Sequence, residues 1–134
     1  MPRKTDSHNP KDWLDIAESD LEGLQSLAQQ ELAFSMCRSK LAEVVEKIVK
    51  AELIRLGWIL EKTHDLGKLG NELARRSPDL VGTVRPLCTE LAEVYFSDRY
   101  PGFDLEDPDW PKLRVQLEAV VTLTATIKAR IGGS

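Results

Sequence analysis

The sequence predicts an all-α fold, an up-and-down antiparallel bundle of four to five helices, and three observations predict it. Apolar residues recur at i, i+3, i+4 and i+7 in separate stretches between Asp12 and Ile131. No run alternates apolar and polar residues as a half-buried strand would, no internal repeat is present, and the heptads are too short for a coiled coil. The stretches are parted by short punctuation such as Gly57 and Ser77-Pro78-Asp79, and short connections between helices make antiparallel neighbours. With 134 residues, 42% hydrophobic and 30% charged, the chain has the size and balance of one soluble domain that buries its core without disulfides or metal.

Residues 1–11 mix Pro, Lys, Asp, Ser and Asn without periodicity and read as a flexible arm before a single bundle domain over 12–131, with 132–134 a loose end. A first helix of about Asp12 to Glu31 puts Trp13, Ile16, Ala17, Leu24, Leu27 and Ala28 on one face, with Asn9 or Lys11 near its start. The second runs from Phe34 to Gly57. Phe34, Cys37, Leu41, Val44, Val45, Ile48, Val49 and Leu56 form an apolar arc, while Ser39, Lys40, Glu43, Glu46, Lys47 and Lys50 fill the other side, so packing on one face is expected. Glu43 to Lys47 and Glu46 to Lys50 are carboxylate-before-amine pairs at the supporting i,i+4 spacing, and Gly57 supplies a left-handed stop.

Residues 58–62 read as a loop that tucks Trp58 into the core, and Thr63 reads as the N-cap of a short third helix striped by Leu66, Leu69 and Leu73 and ending near Arg75-Arg76. Gly67 and Gly70 weaken that helix by about 1 kcal/mol each relative to Ala, and in return let another backbone come close. Ser77-Pro78-Asp79 starts a fourth helix, with Leu80, Val84, Leu87, Cys88, Leu91 and Tyr95 on one face. Pro86 removes an internal hydrogen bond, which predicts a kink or break at Arg85-Pro86. Residues 97–111, rich in Pro, Asp and aromatics, form a loop of the kind that carries function. The last helix starts near Pro111 and buries Leu113, Leu117, Val120, Val121, Thr124, Ile127 and Ile131.

The net charge of −4 argues against a general nucleic-acid coat protein, because nonspecific phosphate binding leans on surplus Lys and Arg, while a local basic site stays open. The start of the chain has no apolar core of a secretory signal and no later run is long enough to span a bilayer, so no membrane association and a cytoplasmic location are expected. Cys37 and Cys88 lack CxxC spacing and a neighbouring His, so the expectation is two reduced, buried thiols and no metal site or cofactor.

Several polar residues sit where packing alone does not explain them. Asp20 lies in the middle of the first helix's apolar face, where an unpaired carboxylate is expensive. It either meets a cation of the second helix, with Arg38 and Arg55 in suitable register, or faces a frayed edge or wet seam. Arg38, Glu52 and Arg55 fall within or beside the buried arc of the second helix. Asp65 suits the third helix's dipole. His64 reads either as a general acid or base exposed at a helix start, or as a structural or ligand-contacting residue whose ring packs on Trp58. Lys50, at the centre of the polar face, has the ordinary reading of a solvated lysine. Arg99 and Tyr100, held by Pro101, combine a two-pronged phosphate donor with a stacking ring and suit a nucleotide contact. The other reading is a loop anchored by Tyr100 in the core and by Arg99 on Asp98 or Asp104.

The order and spacing of these features resemble the HEPN domain family. Trp13, Ala17, Asp20 and Leu21 in the first helix, LAEVVEKIVKAELIRLG in the second, His64-Asp65-Leu66, and Tyr95 followed by Arg99-Tyr100-Pro101 carry the resemblance over about residues 12–130. Glu46-Lys47 and Lys50-Ala51, followed downstream by His64-Asp65-Leu66 and Arg99-Tyr100-Pro101, are its most specific parts. It implies a five-helix up-and-down bundle, a homodimer that binds nucleotides or RNA, and a minimal nucleotidyltransferase as partner in a toxin–antitoxin-like pair, with Lys50 contacting phosphate or the partner. It also implies an alternative, a metal-independent endoribonuclease. Family nucleases use an Arg followed after four to six residues by His near the last helices. Here the literal match, Arg3 to His8, lies in the N-terminal arm, His64 has no such Arg before it, and Arg99 has no His after it. The expectation is therefore a binding module with no catalytic residue, contacting its ligand through Arg99, Tyr100, His64 and Lys50, with Asp20, Arg38, Glu52, Arg55 and Asp65 as structural polar groups. The nuclease alternative needs a divergent site built around Arg99, Tyr100 and His64.

Overall fold

The computed structural model of the chain describes residues 7–92 and 108–132. Among them five α-helices follow in order: α1 (Pro10–Gln30), α2 (Phe34–Arg55), α3 (Leu66–Arg76), a 3₁₀ turn (Pro78–Leu80), α4 (Val81–Leu91) and α5 (Trp110–Gly132), with no strand among these residues. This is the expected all-α, up-and-down bundle. Contacts along the helices fix the directions. Trp13 meets Lys50 and Asp20 meets Lys47, so α1 and α2 run antiparallel. Arg114 meets Ala28 and Lys128 meets Glu18, so α5 runs antiparallel to α1. Phe34 meets Trp110 and Glu52 meets Arg130, so α2 and α5 run parallel.

Local chemistry sets the helix ends. The Asn9 side chain accepts the Lys11 N–H at 3.0 Å with Pro10 at the first position, so α1 begins two residues before Asp12. Its end turns through Glu31 (φ 54°), and α2 opens after Ala33 (φ 55°). Left-handed geometry costs a non-glycine residue about 1–2 kcal/mol. The three-residue turn is held by the Leu32 N–H to Leu27 carbonyl bond at 3.1 Å and by Arg114, which donates to the Ala28 carbonyl and pairs with Glu31. Gly57 (φ 90°) closes α2 as expected, and the Trp58 N–H returns to the Leu53 carbonyl at 2.9 Å, placing the indole in the core. The cap of α3 is Asp65 rather than Thr63: its carboxylate accepts the Lys68 N–H at 3.1 Å, while the Thr63 hydroxyl accepts the Asp65 N–H. α5 starts one residue earlier than Pro111, capped by Asp109 on the Lys112 N–H at 3.0 Å.

Packing departs from one-faced amphipathicity where the topology is crowded. α2 touches all four other helices, so it is buried nearly all round, and Glu46, Lys50 and Glu52 are buried with Leu41, Val44, Val45, Ile48, Val49 and Leu53. On α1 the core face is Leu14, Ala17, Leu21, Leu24 and Ala28, and Ile16 is 51% exposed. On α5, Gln116 and Leu123 join the buried stripe, while Val121 and Ile131 are only partly covered. Gly70 serves the predicted close approach: a Cβ there would lie 3.0 Å from Cβ and Sγ of Cys88 on α4. α4 runs through Pro86 without a break, because Pro86 and Gly82, whose carbonyl loses its partner, both face solvent. Both cysteines are buried thiols, and burial pushes Cys88 up to about 12.

Candidate functional site

Burying three charged residues on one helix requires partners, and the bundle supplies them at two places. At the first, Glu46 (8% exposed) accepts a hydrogen bond from the Lys50 ammonium (3% exposed) at 2.9 Å, one helical turn away. Its carboxylate also faces Nδ1 of His64, at 2.9 Å from Oε1 and 3.1 Å from Oε2. A carboxylate only accepts, so Nδ1 carries the hydrogen and a neutral ring keeps its basic lone pair on Nε2. The His64 side chain is 63% exposed, so one edge of the ring is set by a buried ion pair while much of it stays at the surface. From α1, the Trp13 ring covers Lys50, its centroid 5.3 Å from the ammonium, and the indole N–H is anchored on the Ser7 carbonyl at 2.8 Å.

At the second place Glu52 is fully buried and takes two arginines. Oε1 accepts from Arg55 Nε at 2.5 Å, and Oε2 accepts from Arg55 Nη2 at 3.1 Å and from Arg130 Nη1 at 2.8 Å. Arg130 reaches on to the Ser77 hydroxyl at 3.0 Å and to Asp79, and Ser77 donates to Asp79 at 3.0 Å. The hydrogen bonds to Glu52 raise both guanidinium pKa values, and those from Arg130 and then Ser77 hold the Asp79 carboxyl below its ordinary range. This network ties α2 and α5 to the α3–α4 junction and offers no open chemistry.

The residues singled out from sequence therefore divide. His64 and Lys50 come together, through Glu46 rather than directly. Lys50 is not a solvated lysine: its position on the polar arc is covered by Trp13, because α2 lies at the centre of the bundle. His64 is positioned by Glu46. Asp20 does pair with a cation of α2, but with Lys47 at 3.7 Å instead of Arg38 or Arg55. Arg38 lies over the Phe34 ring at 5.3 Å, and Arg55 holds Glu52. Asp65 is the α3 cap. Arg99 and Tyr100, with Arg3, lie outside the described residues. Sequence reasoning misses Trp13, Arg130, Ser77 and Asp79 as polar partners, and it gives Glu46 a helix-supporting role and a place in the family resemblance but no role in the site. The signals for Glu46 are its i,i+4 spacing to Lys50 and the Glu46-Lys47 and Lys50-Ala51 pairs of the family resemblance.

Among the described residues no group of three or more His, Cys, Asp or Glu is placed to hold a metal ion, and no helix is long and apolar enough to cross a membrane. A family model described as HEPN domain matches residues 10–125. No curated protein and no solved structure matches the chain.

Proposed function

The chain belongs to the HEPN domain family, whose known roles concern nucleotides and RNA, and from that premise we propose that it is a non-catalytic nucleotide- or RNA-binding module. In this reading residues 12–131 act as a single cytoplasmic domain, a homodimer and the partner of a minimal nucleotidyltransferase in a toxin–antitoxin-like pair. The observation that carries the binding reading is the Glu46–Lys50–His64 arrangement. A simple cap needs no buried ion pair behind it, whereas a ring that meets a phosphate or a base gains from fixed orientation, since ordering is then already in place before binding. His64 is the contacting residue, with Arg99 and Tyr100 as phosphate donor and stacking ring. Lys50 works from behind, holding the carboxylate that sets the imidazole.

Fluorescence anisotropy with a labelled single-stranded oligoribonucleotide tests this directly. The expected result is saturable binding that His64→Ala and Arg99→Ala each weaken about tenfold, the scale of one lost charge-assisted contact. Binding unchanged in both variants would sink the reading. Sedimentation and co-purification with the neighbouring gene product test the dimer and the nucleotidyltransferase.

One observation favours the second reading, a metal-independent endoribonuclease. A carboxylate-held imidazole has the form of a general base, able to take the proton of a ribose 2′-hydroxyl as that oxygen attacks the adjacent phosphorus, while the P–O5′ bond breaks and the departing 5′-oxygen takes a proton from solvent, leaving a 2′,3′-cyclic phosphate and a 5′-hydroxyl. RNA cleavage in the presence of EDTA, abolished by His64→Ala, would establish the enzyme and displace the non-catalytic module.

A further inference from the structure

Between the 57–63 connection and α3 lies an open groove of about 420 Å³, within the roughly 300–1,000 Å³ typical of small-molecule sites. Trp58 and Leu69 line it together with Lys68, Arg75 and Arg76 against Glu61 and Glu72, a local excess of positive charge on a chain of net charge −4. Glu72 is the point on which two of these cations converge. Its carboxylate accepts from Arg75 Nη2 at 2.7 and 2.6 Å and from Arg76 Nε at 3.0 Å, so two guanidiniums converge on one acceptor group. Those bonds hold its carboxyl below the ordinary range. Lys68 pairs with Glu61 at 2.7 Å, and both side chains are half exposed or more.

We propose that this groove binds a phosphomonoester dianion, with Arg75 and Arg76 turning from Glu72 to the phosphate and Lys68 exchanging Glu61 for it. Exposed ion pairs of this kind contribute little on their own, so giving them up costs little. A phosphomonoester brings nearly two charges and three acceptor oxygens where the carboxylate brings one charge and two. Glu72 is on this account an internal competitor. The inference is independent of the His64 site, whose residues are not among those that line the groove.

The test is an NMR titration of the full chain with ribose 5-phosphate, read at the Trp58 indole and the α3 amides, with ribose as the uncharged control. Shifts confined to the groove with ribose 5-phosphate and absent with ribose are expected. Arg75→Gln combined with Arg76→Gln should weaken binding at least tenfold, Glu72→Gln should tighten it about threefold or more, and His64→Ala should leave it unchanged. Adenosine 5′-monophosphate binding more tightly than ribose 5-phosphate assigns the ligand to nucleotides, and equal affinities assign it to sugar phosphates. Shifts spread over basic residues elsewhere, or a Glu72→Gln variant that binds no better than the native chain, overturn the proposal. Loss of oligoribonucleotide binding in His64→Ala with this titration intact keeps the two sites distinguishable.

Discussion

Glu46 and Glu52 stand six residues apart on the same buried helix, yet the bundle treats them differently. Glu52 is closed off: both its oxygens are spent on Arg55 and Arg130, and the chain of contacts continues into Ser77 and Asp79. Glu46 is only half closed, because Lys50 and Trp13 seal one side while His64 carries the other to the surface. The difference teaches how to separate architecture from function in a helical core. A buried charge satisfied wholly by internal partners orders the fold, and one satisfied through an exposed titratable ring also orders something that solvent and ligands can reach.

Glu52→Gln leaves two guanidiniums, each about a quarter exposed, facing a neutral amide, and should cost about 2–4 kcal/mol in urea unfolding. A loss below about 1 kcal/mol would remove Glu52 from its architectural role. Glu46→Gln should cost less, about 1–3 kcal/mol, because one permanent cation rather than two loses its carboxylate and His64 is already at the surface. Adding Lys50→Met to Glu46→Gln should recover most of that stability without restoring oligoribonucleotide binding, which separates packing from ring positioning.

A smaller effect lies in the aromatic cover. A double-mutant cycle between Trp13→Leu and Lys50→Met should report a coupling of about 0.5–2 kcal/mol if the indole face holds the ammonium. The smallest effect is the pH dependence around Asp79. Its folded pKa is depressed, so its contribution is present above the unfolded value and is lost as pH falls through the folded one. Stability should therefore decline from about pH 4 downward, and Asp79→Asn should lower the plateau above pH 5 and flatten part of the acid slope, bringing the two proteins together at low pH in acid-melt measurements.

Much of the fold was legible from local rules. Asn9-Pro10 starts α1, Gly57 ends α2 with positive φ, and the leucine stripe of α3 and the apolar spacing of α5 are periodic enough to read directly. The reading slipped where two local signals competed. Thr63 and Asp65 can both cap, and their mutual hydrogen bond gives the helix to Asp65. Pro86 signals a break only if its lost bond is buried, which exposure prevents.

The site was legible only as a set of candidates. His64 and Lys50 are fourteen positions apart, and no periodicity joins a loop residue to the buried flank of a helix. Asp20 visibly needed a cation, but its choice of Lys47 depends on how α1 and α2 rotate about their axes, and a small rotation exchanges one side chain for the next.

The sequence by itself therefore determined the helices, their approximate ends, the all-α class and the family, because these follow from spacing, caps and short ordered words. Tertiary structure alone decided that α2 is central rather than one-faced, that Lys50 is buried, and that Glu46 meets His64. The physical reason is that helix formation is governed by neighbours within a turn, whereas the fate of a charge depends on which distant groups the packed bundle brings within hydrogen-bonding distance.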